Sequence, residues 1–475
     1  MTTVVWLRED LRLTDNPALH FAASQGDVCP VFIYPEGLGA ASYWWLHHSL
    51  TKLSNDLSEF GITLILKTGD ATQVLANICE GLSATRLVWN RVYSPQGVEA
   101  GRQVKEYFSE SAIELKSFSA QLLIEPTQIL TKQGTPFKVF TPFWRNCLST
   151  LAVKPGLDIP IFSQAEDPPK VNLNSERLID WALLPTAPDW STGIAQRWRP
   201  GELGAQTRWQ AFLDGGVTNY KEGRDIPSEE NTSMLSPHLA FGEISPRQIW
   251  FDTHAAMAAG ELDSSNGNKF LSEIGWREFS RYLLIHFPHI INQPFNPRFS
   301  DFPWEQNTEL LTAWKTGQTG YPIVDAGMRE LWHTGYMHNR VRMVAASFLS
   351  KHCLVDWRVG MNWFWDTLVD ADIGNNTASW QWVAGCGADA SPYFRIFNPV
   401  LQGEKFDKEG SYIKKWVPEL NNLPQKFIHK PWDADPMTLS RAGVVLGDNY
   451  PKPVVEHKYA RERALAAYQE IRTLS

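Results

Sequence analysis

The chain has 475 residues, 43% of them hydrophobic, and a formal net charge of −8; that length allows two or three domains with sizeable cores, and that charge gives no global field for attracting nucleic acid. The five cysteines, Cys29, Cys79, Cys147, Cys353 and Cys386, form no C-x-x-C pair and no even framework, which excludes a zinc ribbon and a disulfide scaffold and suits a reducing cytosol. No apolar run approaches the roughly eighteen residues of a membrane span and no signal-peptide pattern opens the chain, so the expectation is a soluble cytoplasmic protein that does not engage a membrane.

From the N-terminus, short apolar runs at 4–7, 28–34, 63–66, 87–89 and 113–118 predict about five strands. Helical patterns at 16–24, 42–60, 71–80 and 95–110 separate them. This alternation predicts a doubly wound parallel sheet, in which ligands sit beyond the carboxyl ends of the strands. No G-x-G-x-x-G or phosphate-cradling loop accompanies the strands, which argues against a dinucleotide site there. The turns 34–39 and 90–95 follow strands and could line a small-molecule cleft, with Trp44 and Trp45 nearby or simply packing a helix on the sheet.

Residues 127–199 are rich in proline and weakly periodic, as in 165–171 and 183–190, and read as a linker between a domain at 1–126 and another at 200–475. Beyond it the pattern is helical. Trp357, Met361, Phe364, Trp365 and Leu368 form one apolar face, and Met337, Val341, Val344, Ala345 and Phe348 form another, so an all-α domain is expected. A solvated helix at 461–471 closes the chain.

The segment Asp370–Pro399, written 370–399, holds two carboxylates one residue apart, asparagines and two tryptophans flanking a glutamine. It fits neither an amphipathic helix nor a strand and reads as the wall of a buried polar pocket. Its acids need a basic partner, for which Arg340 and Arg342 are the candidates. Thr232-Ser-Met-Leu-Ser236 sets hydroxyls and N–H groups ahead of a helical segment, which suits an anion or ordinary capping, with Tyr220 and Arg224 just upstream. Glu273, Trp276 and Arg277 fall within about one helical turn, which suits a base held by stacking and hydrogen bonds, or a surface ion pair beside a core indole.

Together with Trp6-Leu-Arg-Glu-Asp-Leu-Arg12, Gly320-Tyr-Pro-Ile-Val-Asp-Ala326, Met337-His-Asn-Arg-Val-Arg-Met343 and Trp380-Gln-Trp382, these motifs resemble those of the DNA photolyase and cryptochrome family. The resemblance runs in order from residue 2 to the 450s and is most like the bacterial class III, or class I, cyclobutane pyrimidine dimer photolyases. It implies an α/β antenna domain, a helical FAD-binding domain and light-driven repair of UV-damaged DNA by a monomer. The alternative it leaves is a blue-light photoreceptor cryptochrome without repair activity.

By resemblance, Tyr220, Thr232, Ser233, Met234, Leu235 and Ser236 hold the FAD phosphates, Asp372 meets the flavin, Asp370 pairs with Arg342, and Asn376 lies beside the flavin N5. An asparagine there speaks for repair, since plant cryptochromes carry aspartate. Glu273, Trp276, Asn339, Met343 and Trp382 would form the lesion pocket, with Arg277, Arg340, Arg395 and Gln402 on the DNA backbone or lesion. Met343, where six-four photolyases place histidine, favours the cyclobutane dimer. Trp380, Trp357 and Trp304 match the family's electron relay, although each alone reads as core. A 5,10-methenyltetrahydrofolate antenna is implied, with Glu36 and Trp45 as contacts, and 8-hydroxy-5-deazaflavin is the alternative. Gln96-Gly97 stands where folate-binding class I enzymes carry Asn-Glu. Only Cys353 and Cys386 lie in the helical half, too few for the iron–sulfur branch, so no metal or cluster is expected.

Overall fold

The computed structural model describes residues 2–151, 156–162, 173–390 and 394–473; the proline-rich stretch 165–171 and residues 391–393 of the polar segment lie outside them. Two compact units divide the chain, Met1–Thr218 with Ser233–Pro288, and Asn219–Thr232 with His289–Ser475.

The first unit begins with β1 (Thr2–Leu7), α1 (Pro17–Gln25), β2 (Asp27–Ile33), α2 (Ala40–Ser58), β3 (Ile65–Lys67), α3 (Ala71–Gly81), β4 (Arg86–Asn90), α4 (Pro95–Tyr107) and β5 (Glu114–Phe118). All pairings are parallel, in the order β3-β2-β1-β4-β5. The central strand has no polar outer face: Val4, Val5 and Leu7 are completely buried, as expected for a parallel strand covered by helices on both sides. The crossover helices start where the sequence offers caps. Asn16, Asp70 and Ser94 each accept a main-chain N–H of the first turn, and Pro17 and Pro95 occupy first-turn positions that need no donor.

The strand order reverses beside β1, and the crevice at such a point is the usual ligand position. Here protein groups hydrogen-bond to one another across the ends of the two strands. The Arg8 guanidinium donates to the carbonyls of Asn90 (2.7 Å) and Gly97 (3.0 Å), while Asn90 donates to Asp10 (2.6 Å) and Asn16 (2.7 Å). Arg12, buried nearby, donates to the Asp15, Ala120 and Gly242 carbonyls. The 90–95 turn is similarly engaged, since Arg91 and Tyr93 both bond Glu125.

The linker expected at 127–199 contains structure that belongs to this unit: α5 (Phe140–Thr150) and α6 (Thr192–Arg197). They are followed by α7 (Glu202–Asp214) and, after α8 (Tyr220–Gly223) of the other unit, by α9 (Ser236–Ala240), α10 (Pro246–Ala258) and α11 (Ser264–His286). The compact division therefore differs from the composition-based boundary. Aromatic packing is the reason: Phe143 lies against Phe279 and Tyr282, and Trp144 against Trp250. At Gly275 a Cβ would come within 2.7 Å of the Trp144 ring, so glycine permits this close approach.

The second unit is helical. It contains α8, α12 (Thr308–Lys315), α13 (Pro322–Thr334), α14 (Asn339–Ser347), a π-helical turn at Phe348–His352, α15 (Trp357–Thr367), α16 (Ile373–Ala384), α17 (Pro399–Phe406), α18 (Ser411–Trp416), α19 (Pro436–Ala442) and α20 (His457–Thr473). The predicted apolar faces of α14 and α15 lie inward: Met337, Val341, Val344, Ala345 and Phe348, and Trp357, Met361, Phe364 and Leu368, are all buried in one core, with Trp365 half-buried. Asp325, from the motif at 320–326, is a structural residue. Its buried carboxylate accepts from Thr319 N and Oγ1, Gly320 N and Tyr450 Oη, which together replace the water it has lost.

Candidate functional site

The second unit gathers its polar chemistry at the head of α16. Asp372 caps that helix by accepting from Asn375 N at 2.8 Å. One turn on, the Asn376 amide nitrogen donates to the Met361 carbonyl at 3.0 Å, which orients its oxygen as an acceptor for another group. Asp370 accepts from Arg342 Nη2 at 2.8 Å, and Arg342 Nε donates to the Met337 carbonyl at 2.6 Å. Asp370, Asp372 and Asn376 are only 8%, 6% and 8% exposed. Burial alone would lower the Arg342 pKa, but Asp370 and neighbouring negative groups outweigh it and raise it. The polar set fits a flavin: buried carboxylate and amide oxygens suit the ring's N–H groups, and the Arg342 guanidinium pairs with one of the acids.

Three further predicted residues share α14. Asn339 is exposed, and Arg340 and Met343 are half-buried. Arg340 pairs with Asp225 at 2.9 Å, approaches Met343 Sδ at 3.7 Å and lies over the Phe406 ring at 4.3 Å. Trp382 is half-buried on α16, donating to the Asp389 carbonyl at 3.1 Å, with exposed Arg395 5.9 Å from its ring. Gln402 is half-buried on α17. Tyr220 is buried in α8 with Arg224 above its ring, and Thr232 ends the same segment half-buried.

Trp357 and Trp380 are buried in the second unit's core, and Trp304 packs on its margin half-buried. Gly360 brings α15 against Trp380 so closely that a Cβ would lie 2.1 Å from the indole. Trp380 meets Trp314 and Phe364, and Trp304 meets Phe302.

In the first unit, Glu273 and Trp276 lie half-buried on α11. Glu273 is bonded to Lys269 Nζ at 2.9 Å, and the Trp276 indole stacks on Phe140 at 3.8 Å and 10°. Arg277 corrects its expected role at the DNA. It is 6% exposed and donates to the carbonyls of Gln121 (2.6 Å) and Leu239 (3.3 Å), because its side chain turns into the packing of α11. Ser233 and Ser236 frame Met234, whose left-handed backbone (φ 54°) bends the chain into α9, while Leu235 is buried and its N–H approaches Ser233 Oγ at 3.4 Å.

Trp45 is a second correction. It is fully buried, donates through Nε1 to Glu243 at 3.0 Å and packs against Trp198 and Phe241, so its indole serves the core of the first unit. Glu36 is exposed after β2, near the stacked pair Tyr34 and Tyr43 and the edge of Trp181. Sequence reasoning missed Phe140 beneath Trp276, Met361 behind Asn376, Asp225 beside Arg340, and Glu330 with Tyr412 behind Arg342. Glu330 carried a detectable signal, a carboxylate on the helix face that also holds Ile323, Ala326 and Gly327.

The profile of the FAD binding domain of DNA photolyase matches residues 270–470, and that of DNA photolyase matches residues 3–163. A deoxyribodipyrimidine photo-lyase of Agrobacterium fabrum is 49% identical over 99% of this chain and 98% of its own length. Cryptochrome-2 of Arabidopsis thaliana is 38% identical over 99% of this chain and 79% of its own. The crystal structure of a bacterial class III photolyase from Agrobacterium tumefaciens superposes with a TM-score of 0.95 at 48% identity, covering 99% of this chain and 98% of that one. The chain belongs to the DNA photolyase and cryptochrome family. It carries that family's FAD-binding domain, and in sequence and fold it resembles the class III enzymes. Among the described residues no helix is long and apolar enough to cross a membrane, and no group of three or more His, Cys, Asp or Glu could hold a metal ion.

Proposed function

We propose that this protein is a light-driven repair enzyme that splits cyclobutane pyrimidine dimers in DNA. The supporting observation is the buried set of Asp370, Asp372 and Asn376 with Arg342, inside the matched FAD-binding domain. Bound FAD, when reduced and excited, supplies an electron that cleaves the dimer and then returns. The chain's residues bind and orient. Tyr220, Thr232, Ser233, Met234, Leu235 and Ser236 hold the cofactor phosphates through hydroxyls and main-chain N–H groups. Asp372 and Asn376 accept from the ring, and Asp370 pairs with Arg342.

Photolyases are among the enzymes that extrude a target nucleotide from the duplex. Trp276, already stacked on Phe140, and Trp382 offer planes for the two sides of the dimer. Glu273 and Asn339 hydrogen-bond it, Met343 packs against it, and Arg340, Arg395 and Gln402 hold the backbone. Trp304, Trp357 and Trp380 carry electrons to the flavin. Residues 1–126 act as the antenna domain, with Glu36 contacting 5,10-methenyltetrahydrofolate or, alternatively, 8-hydroxy-5-deazaflavin. The enzyme works as a cytoplasmic monomer on UV-damaged DNA, without an iron–sulfur cluster.

A photoreceptor without repair activity is the second reading, favoured by the 38% identity to a plant cryptochrome. A repair assay separates the two. Fully reduced protein under blue light restores monomers in a dimer-containing oligonucleotide if it is the enzyme; unchanged dimer at saturating protein leaves the photoreceptor reading.

A further inference from the structure

Trp276 on α11 belongs to a run of near-parallel rings that α5 supplies. Phe140, the first residue of α5, lies 3.8 Å from the Trp276 ring with the planes 10° apart, and Trp144, one turn further along α5, lies 6.4 Å from Phe140 at 13°. The Phe279 ring meets Trp276 and Phe140 edge-on, each at 6.0 Å, with interplanar angles of 72° and 67°. Phe140 and Trp144 are buried, whereas Trp276 is half-buried, so of the three it is the indole that keeps surface for another ring.

The chain holds Phe140 in place from both sides. Upstream, Tyr282 Oη on α11 accepts from Phe137 N at 2.9 Å and donates to the Ile129 carbonyl at 2.9 Å, which ties the stretch entering α5 to α11. Downstream, Phe143 packs on Phe279 and Tyr282, and Trp144 sits where Gly275 leaves room for its ring. An indole free on a helix surface samples several rotamers, and a base that stacks on it must select one, which counts against binding. With one face against Phe140 and Phe279 at the edge, the Trp276 rotamer is set before any base arrives. The contact needs a flat ring. An aromatic pair is worth more than the area it buries, and an aliphatic side chain of similar bulk does not reproduce it.

We propose that Phe140 is a positioning residue for the lesion: it holds the Trp276 indole in the plane on which the flipped-out dimer stacks, which makes α5 part of the DNA-recognition machinery. This rests on the reading of Trp276 as a stacking plane. Phe140 acts through Trp276, and nothing in the role requires it to touch the dimer.

The test measures the affinity of the FAD-loaded protein for an oligonucleotide holding one cyclobutane thymine dimer, and for its undamaged counterpart, by fluorescence anisotropy. FAD absorbance and thermal unfolding are recorded on the same samples. Phe140→Leu should weaken dimer binding roughly two- to tenfold and leave FAD content and binding to undamaged DNA at parent values. Phe140→Tyr keeps the ring and should keep the parent affinity. The deciding comparison is a cycle with Trp276→Ala: if Phe140 acts through the indole, the double variant binds the dimer no more weakly than Trp276→Ala alone. Parent affinity in Phe140→Leu, a loss in Phe140→Tyr as large as in Phe140→Leu, equal weakening on damaged and undamaged DNA, or losses that multiply in the double variant each overturn the proposal and leave Phe140 a core residue. Parent dimer affinity in Trp276→Ala sinks the stacking reading itself, and the inference with it. Should Phe140→Leu fail to fold, Phe140→Met, which also lacks a ring, takes its place in the cycle and is judged by the same outcomes.

Discussion

The side-chain amide of Asn376 is oriented by a main-chain group, the Met361 carbonyl 3.0 Å from Nδ2. A carbonyl only accepts, so the bond selects the NH2 end of the amide and leaves the oxygen for other partners. That arrangement makes Asn376 an acceptor, suited to a flavin carrying a proton at N5.

Asn376→Asp removes the donor and sets a carboxylate against the same carbonyl. The expected loss is about 1–3 kcal/mol of stability, read as a lower unfolding temperature of the flavin-loaded protein, together with a smaller yield of repaired dimer per photon. Retention of both parent values would mean that the amide nitrogen plays no part.

Trp276→Ala and Glu273→Ala should weaken binding of a dimer-containing oligonucleotide while FAD content stays at the parent level. Loss of one stacking plane is worth about 1–3 kcal/mol, a drop of roughly five- to 150-fold in affinity. Titration by fluorescence anisotropy, with FAD absorbance recorded on the same samples, makes the comparison. Unaltered affinity in both variants would remove α11 from the lesion site.

Trp380→Phe and Trp304→Phe should slow photoreduction of the oxidised flavin yet leave repair by chemically reduced protein nearly intact. Phenylalanine fills most of the space but is far harder to oxidise than an indole. Transient absorption after a blue flash gives the reduction rate; parent rates in both would rule out the relay.

Glu278 predicts a specific pH signature. It is 4% exposed, and burial raises its pKa from 4.5 to about 7, opposed by Arg277 and by the Leu123 and Ile124 N–H groups that it accepts. A carboxyl whose folded pKa is raised binds more protons folded than unfolded. Its contribution is therefore greatest below pH 4.5 and is lost as pH rises towards 7, by about 3 kcal/mol in total. Glu278→Gln keeps an acceptor for the two N–H groups and should be more stable than the parent at pH 8, with the difference shrinking below pH 5. His338 and His352 act in the opposite sense. Burial lowers their pKa values to about 4 and about 3, so their stabilisation is present above pH 6.5 and is lost on acidification. Denaturant unfolding of parent and variant across pH 4.5–8 tests the difference, and a pH-independent difference would contradict it.

DNA affinity should fall with added salt. The formal net charge of −8 leaves attraction to local cations such as Arg340 and Arg395, and displaced counterions make such binding salt-sensitive. Anisotropy titrations at several salt concentrations give the slope, and a flat response would point to recognition by the lesion pocket alone.

The parallel sheet was legible because its central strands are continuous apolar runs separated by capped helices, a pattern that depends only on local sequence. A buried acid requires a cation, which narrowed the partner of the acids at 370 and 372 to Arg340 or Arg342; it was the family resemblance that chose Arg342 for Asp370. Phe140 was not legible as a partner of Trp276. It lies in a stretch whose prolines mask the α5 pattern, and its stacking depends on packing between residues 136 positions apart. Trp45 misled for a related reason. Its sequence neighbours suggested a cleft, whereas its orientation is set by Glu243, almost two hundred residues away.

The guanidinium and amide groups that hydrogen-bond across the ends of β1 and β4 have a consequence for how colour sensitivity could diversify. A pigment introduced at that point would have to break several hydrogen bonds that stitch the strands together, so any gain in light capture would come at the expense of folding. The loop after β2 is held by Tyr34 N on the Lys67 carbonyl and Tyr43 Oη on the Pro35 carbonyl, and the exposed side chain of Glu36 can be replaced without breaking either bond.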